Sequence, residues 1–256
     1  LWRCGRCGLS QVDRRGLSEE ALRAYYRDAY RAEAGIGVAK DARDRAWFEA
    51  RARALAALAA RHGARDLERA ETSRCFELGA GYGYNLDALR ARFPRATTAT
   101  DELDEGATRR HTHARARLAD GSWDLVLLSH VLEHFLDPRA LLLQVRAALR
   151  PGGLCVIEVP NEEPAMLDRH GFLEPHLSFF RLESFRHLLA VELNAAFDLL
   201  ALGSAGPPIE RPRPGLVARG ARAARRGLCF VLGRESAPPL DFANDAPDGA
   251  RIFLRA

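Results

Sequence analysis

Two stretches of the chain are apolar almost without a break, Trp123-Asp124-Leu125-Val126-Leu127-Leu128 and Leu154-Cys155-Val156-Ile157-Glu158-Val159. Each is short and ends on polar or turn-forming residues, as a strand buried on both faces does, rather than alternating as a half-exposed strand would. Between them the period changes. Asp137 as cap and Pro138 at the first helical position open a helix that turns Leu141, Leu142, Val145 and Leu149 inward, and Pro151-Gly152-Gly153 ends it. The spacing predicts further strands over residues 95–100, 197–202 and 249–255, with a short or irregular one between Asp101 and Asp124. Upstream, Ser18 caps a helix to about residue 33, broken by Gly35 and Gly37. A second helix over residues 44–62 carries Trp47, Phe48, Leu55 and Leu58, with Gly63 as its stop, and a third covers 183–190. Strands alternating with helices give an α/β class with helices on both faces of a mostly parallel sheet.

The chemistry centres on Arg74-Cys75-Phe76-Glu77-Leu78-Gly79-Ala80-Gly81-Tyr82-Gly83, an apolar run followed by three glycines spaced by single residues and then by a helix-compatible segment. Glycine permits positive φ and lets a ligand lie on bare backbone. The dinucleotide fingerprint Gly-x-Gly-x-x-Gly is not met, because the third glycine comes one position early, which disfavours a diphosphate cradle. Asp101 closes the next strand about twenty residues on, where a carboxylate can accept from ribose hydroxyls. A nucleoside without a diphosphate satisfies both facts.

With Trp123 to Ser129, Val131-Leu132-Glu133-His134 and Leu149-Arg150-Pro151-Gly152-Gly153 added, the chain resembles the class I S-adenosylmethionine-dependent methyltransferases over roughly residues 70–200. That resemblance implies a doubly wound, Rossmann-like sheet of about seven strands, its last strand antiparallel and slotted between the fifth and sixth. It implies S-adenosyl-L-methionine as cofactor and S-adenosyl-L-homocysteine as product. Gly79, Ala80, Gly81 and Gly83 would line the methionine portion, Glu77 would bind its ammonium, Asp101 the ribose, and Ser129 would join the set. Ala114 stands where the family usually has an acid for adenine. For catalysis the candidates are His176, His130 and His134, with His176 preferred as the base, and no metal is expected. The acceptor implied is a small molecule such as a sugar or sugar nucleotide.

The N-terminal segment looks like a branch of that family that opens with a Cys-x-x-Cys ribbon. Cys4 and Cys7, Leu9, Ser18-Glu19-Glu20-Ala21-Leu22 and Tyr25-Tyr26 carry the likeness. Structural zinc takes four ligands and only two are here, so the segment is expected to be a metal-free remnant over residues 1–40, followed by the methyltransferase domain over 41–256 with a basic insertion near 207–248. Two other functions compete: a non-catalytic methyltransferase-fold binding protein, and a zinc peptidase through His130-x-x-Glu133-His134, whose pattern needs both histidines on one helix.

Composition narrows the partners. At 256 residues and 47% hydrophobic content the chain can bury a substantial core. Thirty-eight basic residues stand against 34 acidic ones, so no overwhelming field calls for nucleic acid. Arg219, Arg222 and Arg226 read as one solvated helix face. Five cysteines, two inside expected strands, fit reduced thiols. No apolar run reaches the length of a membrane span, which points to a cytoplasmic protein.

Overall fold

The computed structural model describes residues 1–30, 42–62, 72–161, 176–193, 196–204 and 250–255. In chain order the elements are β1 (Trp2–Arg3), β2 (Ser10–Gln11), α1 (Glu19–Asp28), α2 (Ala42–His62), β3 (Ser73–Leu78), α3 (Tyr84–Arg92), β4 (Ala96–Asp101) and α4 (Glu105–Thr108). After them come β5 (Ala114–Arg115), β6 (Trp123–Ser129), α5 (Pro138–Ala148), β7 (Leu149–Val159), β8 (Ser178–Phe179), α6 (Leu182–His187), β9 (Asp198–Ser204) and β10 (Ala250–Arg255).

The main sheet has the order β5-β4-β3-β6-β7-β10-β9. Strands β5 to β7 run parallel, and β10 pairs antiparallel with β7 and β9. The chain builds outward from β3 to β4 and β5, then returns to lay β6 on the other side of β3. Such a reversal leaves a crevice at the carboxyl ends of the two central strands, because the connections there diverge to opposite faces.

Both faces of β6 are covered, which explains its unbroken apolar run. Leu125 and Leu127 pack with Leu55 and Ala56 of α2 and Leu86 of α3, while Val126 and Leu128 pack with Leu142 and Val145 of α5 and Phe185 of α6. Local signals set the helix starts. Ser18 Oγ accepts from the Ala21 N–H at 3.1 Å, and the Asp137 carboxylate from the Ala140 N–H at 2.9 Å, with Pro138 in the first turn.

Three boundaries move. Strand β7 begins at Leu149 directly after α5 and runs through Pro151-Gly152-Gly153, absorbing a register shift against β6 between Trp123 and Leu125. The helix expected over 183–190 is α6 followed by a π turn over Leu188–Glu192. The strand after β4 is only two residues long.

A second, three-stranded sheet, β1-β2-β8, joins the N-terminal segment to the chain before α6. The Val12 N–H donates to the Leu177 carbonyl at 3.1 Å, and β2 pairs with β8 antiparallel. Residues 1–12 are thereby tied to the segment that carries His176. The glycines at 35, 37 and 63, the arginines at 219, 222 and 226 and the whole 207–248 stretch lie outside the described residues. Among the described residues no helix is long and apolar enough to cross a membrane.

Candidate functional site

A cavity of about 420 Å³ opens at the carboxyl ends of β3, β4 and β6 and is roofed by α1 and α2. That volume lies in the usual range for small-molecule sites. Of the residues singled out from sequence, Glu77, Gly79, Ala80, Gly81, Asp101, Ser129, His130 and His134 line it, whereas Gly83 and His176 do not.

The glycine loop is held in a shape that side chains resist. Gly79 and Gly81 have φ of 64° and 56°. A Cβ on Gly79 would stand 3.0 Å from Val131 Cγ2. The Ala80 N–H donates to Thr100 Oγ1 at 3.3 Å and the Gly81 N–H to Glu102 Oε2 at 2.6 Å, so the loop is pinned to β4 and its end. Glu102, which the sequence reading passed over, also accepts from the Asp104 N–H at 2.9 Å. Gly83 is a glycine for another reason: it caps α3, and a Cβ there would lie 2.8 Å from His111 Cβ and 2.9 Å from His113 Cδ2.

Glu77 is the most deeply buried carboxyl of the cavity wall. It is 1% exposed; Oε1 accepts from Asn85 Nδ2 at 2.7 Å, and Oε2 has no hydrogen-bond partner among the described residues. Burial pushes its carboxyl up to about 8, against the Asn85 hydrogen bond and the Arg51 charge. A cation entering the cavity would meet a carboxylate with one oxygen unused. Because the folded value exceeds the ordinary 4.5, the stability Glu77 contributes is fully present below about pH 4.5 and is lost as pH rises to about 8. The slope is about 1.4 kcal/mol per pH unit. We therefore expect Glu77→Gln to raise the ligand-free melting temperature by several degrees at pH 8.5 but not at pH 4.5. Calorimetry at the two pH values checks it, and equal shifts at both would contradict the burial argument.

Ser129 acts through another residue. Its Oγ accepts from Arg51 at 2.9 Å and donates to Glu158 Oε2 at 3.3 Å, while Arg51 also pairs with Glu158. Arg51 reaches in from α2, and Phe48 of the same helix stacks on Tyr84 with planes 2° apart. Helix α2 thus supplies cavity wall as well as core. Nothing in the sequence marks Arg51 for this, since an arginine among alanines and arginines looks like a solvated face.

The histidines separate by position. His130 leaves β6 with φ of 54°, a left-handed conformation that histidine adopts more readily than most non-glycine residues. Its N–H donates to the Glu158 carbonyl at 2.8 Å, and its side chain is 46% exposed on the cavity. His134 is buried and shares a 2.9 Å hydrogen bond between Nδ1 and the Tyr26 hydroxyl. His176 lies behind it, ring centroids 4.9 Å apart, with its side chain 11% exposed. All three face Glu133, which is wholly buried. Burial pushes the Glu133 carboxyl up, but the three imidazoles, His130 foremost, outweigh it and hold it below the usual range. Of the three, His130 and His134 line the cavity and His176 does not. The peptidase pattern also loses its geometry: Leu132–His134 is one 3₁₀ turn rather than an α-helix bearing both histidines.

At the β5 edge of the sheet, β5 is reduced to Ala114–Arg115 and Ala114 is exposed. His113 beside it is buried, with Nδ1 2.8 Å from Thr98 Oγ1.

A mostly parallel sheet with its crevice at the β3/β6 reversal, a glycine loop, a buried carboxyl and an acid closing the neighbouring strand make up a doubly wound fold with a cavity at the carboxyl ends of its strands. The chain belongs to a methyltransferase domain family, which matches residues 40–192. It is 30% identical over 155 residues to a trans-aconitate 2-methyltransferase of Variovorax paradoxus (strain S110), covering 53% of this chain and 58% of that protein. A ubiquinone biosynthesis O-methyltransferase of Roseobacter denitrificans (strain ATCC 33942 / OCh 114) is 35% identical over 79 residues, 30% of this chain and 32% of that one. The matches therefore span less than two thirds of either relative. Among solved structures, the plantazolicin methyltransferase BpumL in complex with S-adenosylhomocysteine aligns with a TM-score of 0.57 at 14% identity, over 92% of this chain and 93% of that one. At that identity the likeness is one of fold.

Proposed function

We propose that the chain is an S-adenosylmethionine-dependent methyltransferase whose acceptor is an oxygen of a small molecule, a sugar, sugar nucleotide or related metabolite. The observation that carries the reading is Glu77: a buried carboxylate with one unused oxygen, beside a glycine cradle and across from Asp101. The names of the two relatives, one of them an O-methyltransferase, support the acceptor class. We read β10, antiparallel between β7 and β9, as the last strand of the family's seven-stranded sheet.

The cofactor would supply a methyl group on a sulfonium, already activated for in-line displacement, so the protein's task is alignment and proton removal. Glu77 would neutralise the cofactor's ammonium, Asp101 would accept from its ribose hydroxyls, and the Gly79–Gly81 backbone would line its methionine portion. Arg51, fixed by Glu158 and Ser129, closes the α2 side. His130, exposed on the cavity at the end of β6, takes the acceptor's proton.

The N-terminal segment belongs to this site as we read it, because Tyr26 of α1 and Tyr30, two residues beyond that helix, both line the cavity. Cys4 and Cys7 form only a tight turn, with the Gly8 N–H donating to the Cys4 carbonyl at 2.9 Å. Among the described residues they gather no third metal ligand.

Asp101 provides the test. Charge-assisted hydrogen bonds are worth about 1.5–3 kcal/mol each, so Asp101→Ala should weaken S-adenosylhomocysteine binding about 10- to 100-fold in calorimetry, with the fold intact. Unchanged affinity, together with equal binding of NAD by the parent protein, would overturn the cofactor assignment.

A further inference from the structure

Glu133 is a buried carboxylate that three imidazoles face. Its side chain is wholly buried, yet neither carboxylate oxygen accepts a hydrogen bond among the described residues. Oε1 instead stands 3.6 Å from His130 Nδ1, 3.9 Å from His134 Nε2 and 3.9 Å from His176 Nε2. Those spacings exceed hydrogen-bond length. A buried carboxylate without such bonds is rare, and a bound ion is one of the standard ways to satisfy it.

The surroundings are built to hold ligand atoms. One donor atom from each of Glu133, His134 and His176 lies within 4.8 Å of the others. The His134 ring is oriented by its Nδ1 contact with the Tyr26 hydroxyl, which places Nε2 3.9 Å from Glu133 Oε1. His176 is placed by its neighbour, since the Leu177 N–H donates to the Glu133 carbonyl at 2.9 Å and the β2–β8 pairing holds the segment. Two imidazoles and one carboxylate suit borderline divalent transition metals, whereas magnesium and calcium favour all-oxygen sets.

We propose that Glu133, His134 and His176 form a site for a divalent transition-metal ion of the zinc, manganese or iron(II) class at the acceptor end of the cavity. Three protein ligands leave further coordination positions, and His134 lines the cavity, so the ion would take a hydroxyl or carboxylate oxygen of the acceptor. On the methyltransferase reading above, coordination acidifies that hydroxyl. Its proton passes to His130, its oxygen forms the new O–C bond, and the S–C bond breaks with its electron pair kept by sulfur. The sequence reading expected no metal here. What changes the conclusion is the arrival of His176 beside Glu133 from 43 positions away, as the numbering shows.

The test is metal binding, measured apart from catalysis. The full chain is stripped with a chelator, dialysed, and titrated with Zn²⁺ by calorimetry and with Co²⁺ by visible absorption. One ion per chain is expected, with d–d bands of a nitrogen- and oxygen-ligated site. Glu133→Gln and His176→Ala should each weaken it by about 100-fold or more, and Tyr26→Phe by about 10-fold. The double variant Cys4→Ser/Cys7→Ser should leave it unchanged. S-adenosylhomocysteine affinity is measured on each variant as a check of folding. If the metal binds and that cofactor does not, the site stands and the methyltransferase reading falls. Absence of a bound ion, or an ion lost only in the cysteine variant, overturns the site whatever the cofactor result.

Discussion

Gly81→Val abolishes S-adenosylhomocysteine binding in calorimetry while the protein stays folded. Gly81 sits at φ of 56°, where a β-branched residue is a strong outlier, and its N–H is clamped to Glu102 Oε2 at 2.6 Å. Valine must leave that conformation or place its branch where a ligand meets the backbone. The loop is at the surface of the cavity rather than in the core, so the loss falls on binding. Gly83→Ala is the informative control. Its added methyl meets His111 and His113 instead of the cavity, so the melting temperature falls and the folded fraction still binds. If Gly81→Val binds within about 10-fold of the parent, the cradle is not where the cofactor lies.

His130→Asn should lower kcat by about 100-fold or more and leave cofactor affinity within about 3-fold. Asparagine tolerates the left-handed backbone that His130 adopts, with φ of 54°, so the turn after β6 survives and the Glu158 carbonyl keeps its hydrogen bond. What disappears is the group able to take a proton at the cavity wall. Single-turnover measurements across pH separate this from a packing defect: the limb of the parent's profile that reports the base should vanish in the variant. A kcat within about 10-fold with an unaltered profile would remove His130 from the proton path.

The backbone plan was readable because it rests on local physics. An unbroken apolar run such as Leu125 to Leu128 can be satisfied only by cover on both faces, and helices α2, α3, α5 and α6 supply it. Caps at Ser18 and Asp137 announced helix starts within one residue. Boundaries failed where pairing overrode propensity. Pro151-Gly152-Gly153 looks like a terminator, yet β7 continues through it because β6 offers an adjacent edge that a bulge can match.

At the site, the sequence alone determined what depends on neighbours in the chain: the glycine cradle after β3, Asp101 at the end of β4, and His130 at the end of β6. Only the tertiary structure decided what depends on burial and on segments far apart. Arg51 became a cavity residue because α2 packs over the sheet and its guanidinium reaches Glu158. Glu102 became the loop's clamp because the loop folds back onto the end of β4. His176 left the cavity for the far side of His134, since strand β8 pairs with β2 and carries it there. A linear pattern records which groups are present, but a buried carboxylate's partners and the side of a histidine that faces solvent are set by the field and packing of the whole fold.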